Sequence, residues 1–269
     1  MRPWPAGTLR PVYEEELAFA RELADRAGRI ALAHFRRTGL EVKRKPDRTF
    51  VTEADLAVEA MIRRELAEAY PEDRILGEEE GGSTEPAGRV WVVDPIDGTA
   101  NFARGVPIWG VLIALRVDGA SVVGVAEAPA LGERYAARRS AGATFDGQPI
   151  RVGEVSRIED AHVLLAEMKA LLAGPHADAV RGLVRDCWRD RGFGDFWAHM
   201  LVACGAADVM LEPELSLWDF AAPQVIVEEA GGRMTTFDGG PPVHRSSVLT
   251  TNGLLHDEVL HRLAAERSG

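Results

Sequence analysis

The chain has 269 residues and carries 31 Lys and Arg against 42 Asp and Glu, a formal charge of −11 with histidine neutral. Nucleic acids and anionic membranes attract basic surfaces, so neither is an expected partner. At 46% apolar and 27% charged, the composition is that of a chain with a sizeable core, which excludes disorder and collagen-like structure.

From Tyr13 to Arg37, apolar residues recur at steps of three and four (Leu17, Ala20, Leu23, Ala24, Ala27, Ile30, Ala31, Phe35), which predicts one long helix ended by Gly39. EVKRKPDRTFV reads as a short extended pair around Pro46 and Asp47, and Thr52 opens a second helix to about Tyr70. RVWVVD at 89–94 is strand-like. WGVLIALRV, SVVGVAEA, RYAARR and ATFDGQPIRV, broken by Asp118–Gly119 and similar turns, then read as an antiparallel meander. Beyond it, HVLLAEM (162–168) predicts a buried strand, 177–189 an amphipathic helix, and a further helix starts near Phe196. A strand at Asp208–Leu211, a helix over Asp219–Glu229 closed by Gly231 and Gly232, strand SSVLTT and a helix from about Leu254 complete the chain. Without repeats or linkers, the pattern suggests two tightly packed halves, 1–155 and 156–269.

The longest apolar run, VLIAL at 111–115, is far short of the ~18 residues that span a bilayer. The start, MRPWPAGTLRPVYEEE, lacks the pattern of a secretory signal, so a cytoplasmic protein is expected. Cys187 and Cys204 form no CxxC pair and read as reduced core residues.

Three acidic clusters fall where elements end: GEEE (77–80), DPIDGT (94–99) and WD (218–219). In the second, strand VWVV delivers Asp94 and a turn at Pro95 brings Asp97 towards the same point. Paired carboxylates raise each other's pKa unless a cation holds them, and hard oxygen ligands select Mg²⁺, Mn²⁺ or Ca²⁺. Scattered histidines without an HxxxH pattern argue against zinc. Each cluster also has a plain structural reading. DP and DG are turn dipeptides, GEEE fits a solvated loop, and Asp219 fits a helix cap. Asp55, three residues after Thr52, fits a capping box.

Taken together and in this order, GEE, WVVDPIDGTANF and LSLWDFAAPQVIVEEAGG resemble the motifs of the inositol monophosphatase family of Mg²⁺-dependent phosphatases. The resemblance runs from about residue 13 to 265. It implies a layered αβαβα sandwich of the α/β (α+β) class, a homodimer, and two or three Mg²⁺ ions per site. It further implies that Glu78, Asp94, the Ile96 carbonyl, Asp97 and Asp219 are metal ligands, and that Thr99 and Asp55 help bind the metals or orient the attacking water. Gly98 and Thr99 are implied as phosphate-facing backbone. Lys43 lies near a lysine position of the family, one residue off in its spacing to Asp55.

KPDRTFVTEAD, NFARGVPIWGVLIAL, VGVAEAPAL, GFGDFWAHMLVACGAADV and TNGLLHDEVL resemble the histidinol-phosphate phosphatase branch more than the inositol branch. The branch implies that Gly194 and Asp195 border the leaving group and that Glu212 binds its organic part. A carboxylate suits an imidazole with an adjacent amine, which is cationic near neutral pH. Asp195 also fits a helix N-cap before FWAHML. Alternatives are a phosphatase for inositol 1-phosphate, a nucleotide or a specialised biosynthetic intermediate. Some family members bind the transcription machinery instead; retention of every metal-ligand position favours catalysis. Two departures stand out. Pro223 replaces a common glycine in what reads as the first turn of its helix, and Ala100 replaces a common threonine.

Overall fold

The computed structural model describes residues 12–38, 42–44 and 50–264. The amino-terminal stretch 1–11, the turn at Pro46 and Asp47, and Gly39 lie outside the described residues.

The first half opens with helix α1 (Glu14–His34), strands β1 (Val42–Arg44) and β2 (Phe50–Thr52), helix α2 (Glu53–Ala69) and strand β3 (Arg74–Gly77). Strand β4 (Arg89–Asp97), helix α3 (Thr99–Ala103) and strands β5 (Gly110–Val117), β6 (Ala120–Ala128), β7 (Glu133–Arg138), β8 (Ala143–Phe145) and β9 (Gln148–Ile150) follow. The second half contains β10 (His162–Leu165), α4 (Met168–Ala173), α5 (Ala177–Asp186), β11 (Arg189–Arg191), α6 (Asp195–Ala203), β12 (Val209–Leu215), α7 (Leu217–Glu229), β13 (Arg233–Thr235), β14 (Ser246–Thr251) and α8 (His256–Ala264).

The larger sheet runs β3-β4-β5-β6-β7-β8-β9, antiparallel except for β3 beside β4. The smaller runs β11-β10-β12-β14-β13, with β11, β10 and β12 parallel. Both faces of the larger sheet are covered, which is why VWVV and VLIAL are continuously apolar rather than alternating. Trp91, Val93, Val111, Ile113 and Leu115 point towards α1 and α2. Val90, Val92, Leu112 and Ala114 point the other way, towards α6 and α7. The smaller sheet lies beyond α6 and α7, with α5 and α8 on its far face. The five layers α/β/α/β/α are therefore those the sequence motifs imply.

One close approach sets the height of the middle layer. A Cβ on Gly124 of β6 would sit 2.5 Å from Val225 Cγ1 and 2.6 Å from the Ala222 carbonyl of α7. Only glycine lets α7 lie this close to the sheet.

Several sequence expectations need correction. HVLLAEM is strand only to Leu165, and Met168 already begins α4. β4 runs through Pro95 to Asp97 instead of stopping at Asp94, because a bulge admits the proline. α7 begins at Leu217, so Pro223 lies in its second turn and not its first. Its missing N–H leaves the Asp219 carbonyl without an intrahelical donor, yet the helix continues to Glu229. Cys187 and Cys204 are free thiols but only half-buried, each at the C-terminus of a helix.

Candidate active site

Parallel pairing of β3 with β4 puts Gly77 beside Val93, and the Glu78 amide donates to the Val93 carbonyl at 3.2 Å. Glu78 and Asp94 thus leave the same ends of adjacent strands. In an ideal strand Asp94 and Asp97 would face opposite sides of the sheet. Here Asp94 pairs with Leu112 while Asp97 pairs with Gly110, so three steps along β4 meet two along β5. This bulge reverses the alternation and turns both carboxylates to one place. The Ile96 amide donates to Asp94 Oδ1 at 3.0 Å and fixes the intervening backbone. Gly98 follows at φ +79°, a left-handed conformation that glycine adopts without strain.

Asp219 arrives from the opposite layer. It is the third residue of α7 and closes a capping box with Ser216, whose amide donates to Asp219 Oδ2 at 2.6 Å. One oxygen each of Asp94, Asp97 and Asp219 lies within 4.8 Å of the others. Asp55 approaches from the start of α2. Its Oδ2 accepts from the Thr52 amide at 2.8 Å and the Thr52 hydroxyl at 2.6 Å, whereas its buried Oδ1 has no hydrogen-bond partner. Asp55 and Asp219 therefore do cap helices, and each also presents a carboxylate to the cluster. The Thr99 hydroxyl donates to the Ile96 carbonyl at 3.0 Å.

The electrostatics of this cluster call for a cation. Burial pushes Asp55 up to about 6, with Glu78 adding to the shift. Burial pushes Asp219 up to about 7, again with Glu78 contributing. Asp94 is raised well above the carboxylate range by burial and then by Glu78, Asp97 and Asp219. Asp97 is raised by burial and then by Asp195 and Asp219. Buried carboxyls this close together cannot all stay ionised unless a cation replaces the protons they would otherwise hold. A hard divalent cation replaces such a proton and removes the repulsion, so the oxygen-only donor set fits Mg²⁺.

A second acidic wall stands beside the first. Asp195 is not the expected N-cap. Gly194 holds the cap position, and the second α6 amide, that of Phe196, donates to Asp97 Oδ2 at 2.7 Å. Asp195 adopts φ +55°, and its Oδ2 accepts from Asn101 Nδ2 at 2.9 Å. Burial and then Glu167 push it up to about 6. Glu212 is buried on β12 beside another bulge: Glu212 pairs with Val248 but Leu215 with Ser246. Burial, Asp195, Asp219 and Glu167 raise its pKa well above the usual range.

Reading the sequence missed three residues here. Asn101 sits inside the quoted motif but orients Asp195 rather than a metal ligand. Glu167 lies on the turn into α4, and no local pattern marks it. Fully buried Glu59 accepts from the Glu79 amide at 2.8 Å and the Glu80 amide at 3.0 Å, and so holds the loop that carries Glu78. Of the acidic run, Glu78 is the member that raises Asp55, Asp94 and Asp219, while exposed Glu80 pairs with Arg63 at 3.4 Å. Lys43 is exposed on β1.

Residues 12–268 match the family model described as the inositol monophosphatase family. The chain belongs to this family. It is 46% identical over 256 residues to the histidinol-phosphatase of Mycobacterium tuberculosis, covering 93% of this chain and 98% of that one. The histidinol-phosphatase of Streptomyces coelicolor is 44% identical over 261 residues, covering 93% and 97%. Among solved structures, the Thermotoga maritima IMPase superposes with a TM-score of 0.84 at 29% identity, covering 94% of this chain and 98% of that one. Among the described residues no helix is long and apolar enough to cross a membrane.

Proposed function

We propose that the protein is a Mg²⁺-dependent phosphate monoester hydrolase that converts L-histidinol phosphate and water to L-histidinol and phosphate. The observation that carries the metal chemistry is the convergence of Asp94, Asp97 and Asp219 within 4.8 Å. The observation that favours a cationic leaving group is the wall of Asp195 and Glu212, both raised by burial and by Glu167, with Asp195 adding to the shift of Glu212. Similarity to the two histidinol-phosphatases supports the same substrate.

Asp94, Asp97, Asp219, Glu78 and the Ile96 carbonyl would hold Mg²⁺, two or three ions in all. Bound there, Mg²⁺ supplies positive charge to phosphate oxygens in a chain of net charge −11 and makes water more acidic. The free Oδ1 of Asp55 and the Thr99 hydroxyl orient the attacking water. Backbone amides at Gly98 and Thr99 face the phosphate. Gly194, where a Cβ would strike Ala166, lets the chain pass close before Asp195, and Asp195 with Glu212 receives the imidazole and amine as the alkoxide departs opposite the incoming water. The two halves, 1–155 and 156–269, close on the substrate from either side of the middle helical layer. We further infer a cytoplasmic homodimer.

The reading is tested by phosphate release from L-histidinol phosphate with Mg²⁺. EDTA is expected to abolish it, added Mg²⁺ to restore it, and Asp94→Asn to lack it. Release that persists without a metal ion contradicts the mechanism.

A further inference from the structure

Behind the acidic wall lies a buried histidine, paired with Glu212, that the chemistry above does not use. His199 on α6 is 1% exposed and Glu212 on β12 is 5% exposed. His199 Nε2 and Glu212 Oε2 face each other across 3.8 Å, and neither atom has a hydrogen-bond partner. Two unpartnered polar atoms, both away from water, destabilise the fold if they stay so. On its other edge His199 is fixed: Nδ1 lies 2.8 Å from the hydroxyl of Thr250, which is itself fully buried on β14.

We propose that His199 is the positioning residue for Glu212, with the Thr250 hydroxyl donating to Nδ1 and the imidazole directing its single N–H from Nε2 at the carboxylate. Burial depresses His199 to about 4, so the ring is neutral at working pH and has one hydrogen to place. A neutral imidazole that accepts at Nδ1 must carry that hydrogen on Nε2. A small swing of Glu212 then closes the 3.8 Å gap to a hydrogen bond. The bulge after Glu212 gives the strand freedom for that swing. A donor behind the carboxylate and a cation in front of it both favour the ionised form, so the pair is built for a substrate whose leaving group is positively charged. This rests on the reading of L-histidinol phosphate as substrate.

The test binds L-histidinol, the leaving group without phosphate, to the full-length protein with Mg²⁺ by calorimetry, alongside KM and kcat for L-histidinol phosphate. His199→Leu is expected to weaken L-histidinol binding ~10-fold, with the kinetic loss falling on KM rather than kcat, as expected for one charge-assisted hydrogen bond. His199→Gln, which retains an N–H donor, is expected to recover most of the affinity. Thr250→Val should reproduce part of the loss, and it carries the test if His199→Leu does not fold. Equal behaviour of His199→Leu and His199→Gln, or wild-type affinity in Thr250→Val, overturns the role of His199. A wild-type protein that neither binds L-histidinol nor hydrolyses its phosphate overturns the substrate reading instead, and the pair with it.

Discussion

Asn101 Nδ2 donates at 2.9 Å both to Asp195 Oδ2 and to the carbonyl of Ile108. One amide from the segment that follows Asp97 thus fixes a carboxylate on α6, the helix whose Phe196 amide binds Asp97. The acidic cluster around Asp97 and the wall around Asp195 thus form one hydrogen-bonded unit.

Asp195→Ala is therefore expected to be selective. Losing a charge-assisted contact to a cation costs about 1.5–3 kcal/mol, or ~10- to 150-fold in kcat/KM for L-histidinol phosphate, while inositol 1-phosphate is affected little. Asn101→Ala should cause a smaller loss in the same direction, because it releases Asp195 without removing its charge. Steady-state kinetics on both esters decides; equal losses on both would assign Asp195 a structural part only.

Glu59 never reaches the acidic cluster, yet it grips the amides beyond Glu78. Glu59→Gln is expected to raise the Mg²⁺ concentration for half-maximal activity by about tenfold, since it weakens hydrogen bonds to a charged acceptor. A Mg²⁺ activation curve identical to wild type would show that the loop holds Glu78 without this anchor.

The raised carboxyls give a signed pH dependence. A carboxyl whose folded pKa lies above its unfolded value binds its proton more tightly when folded. Its stabilising contribution is complete below about pH 4 and fades as pH rises through about 6 for Asp55 and Asp195 and about 7 for Asp219. With EDTA present, the melting temperature is expected to fall from about pH 5 to about pH 7.5. Added Mg²⁺ should raise it more at the upper end of that range, where protons compete least. An increment from Mg²⁺ that does not change with pH would contradict this coupling.

Gly124→Val tests the packing that sets Asp219 in place. The new side chain meets Val225 and the Ala222 carbonyl, so about 1–3 kcal/mol of destabilisation is expected, with a drop of several degrees in melting temperature. Lifting α7 should also weaken Mg²⁺ binding. Calorimetric melting and Mg²⁺ titration separate the two effects.

The layers and the members of the acidic cluster were legible because their signals are local. The period of three and four in α1, the apolar runs of β4 and β5 and the acidic motifs each lie within a short stretch of chain. The bulge that turns Asp94 and Asp97 to one side was not legible, because it depends on pairing with β5; the sequence suggested a turn at Pro95 instead. Glu59, Glu167 and His199 stayed hidden for the same reason. Their partners are the Glu79 and Glu80 amides, Asp195 and Glu212, brought together only by the layering. Asp195 was read as a carboxylate beside the leaving group and alternatively as a helix N-cap; the Phe196 amide is bonded instead by the Asp97 carboxylate from another layer.

The central claim is the cationic leaving group. Phosphate release from L-histidinol phosphate, inositol 1-phosphate and 3′-phosphoadenosine 5′-phosphate should be compared at equal concentration with Mg²⁺, with Asp94→Asn as the blank. The account predicts a preference for L-histidinol phosphate of at least about 100-fold, roughly 2.7 kcal/mol of transition-state discrimination. Comparable or reversed rates would contradict it and leave a family phosphatase whose acidic wall serves another ester.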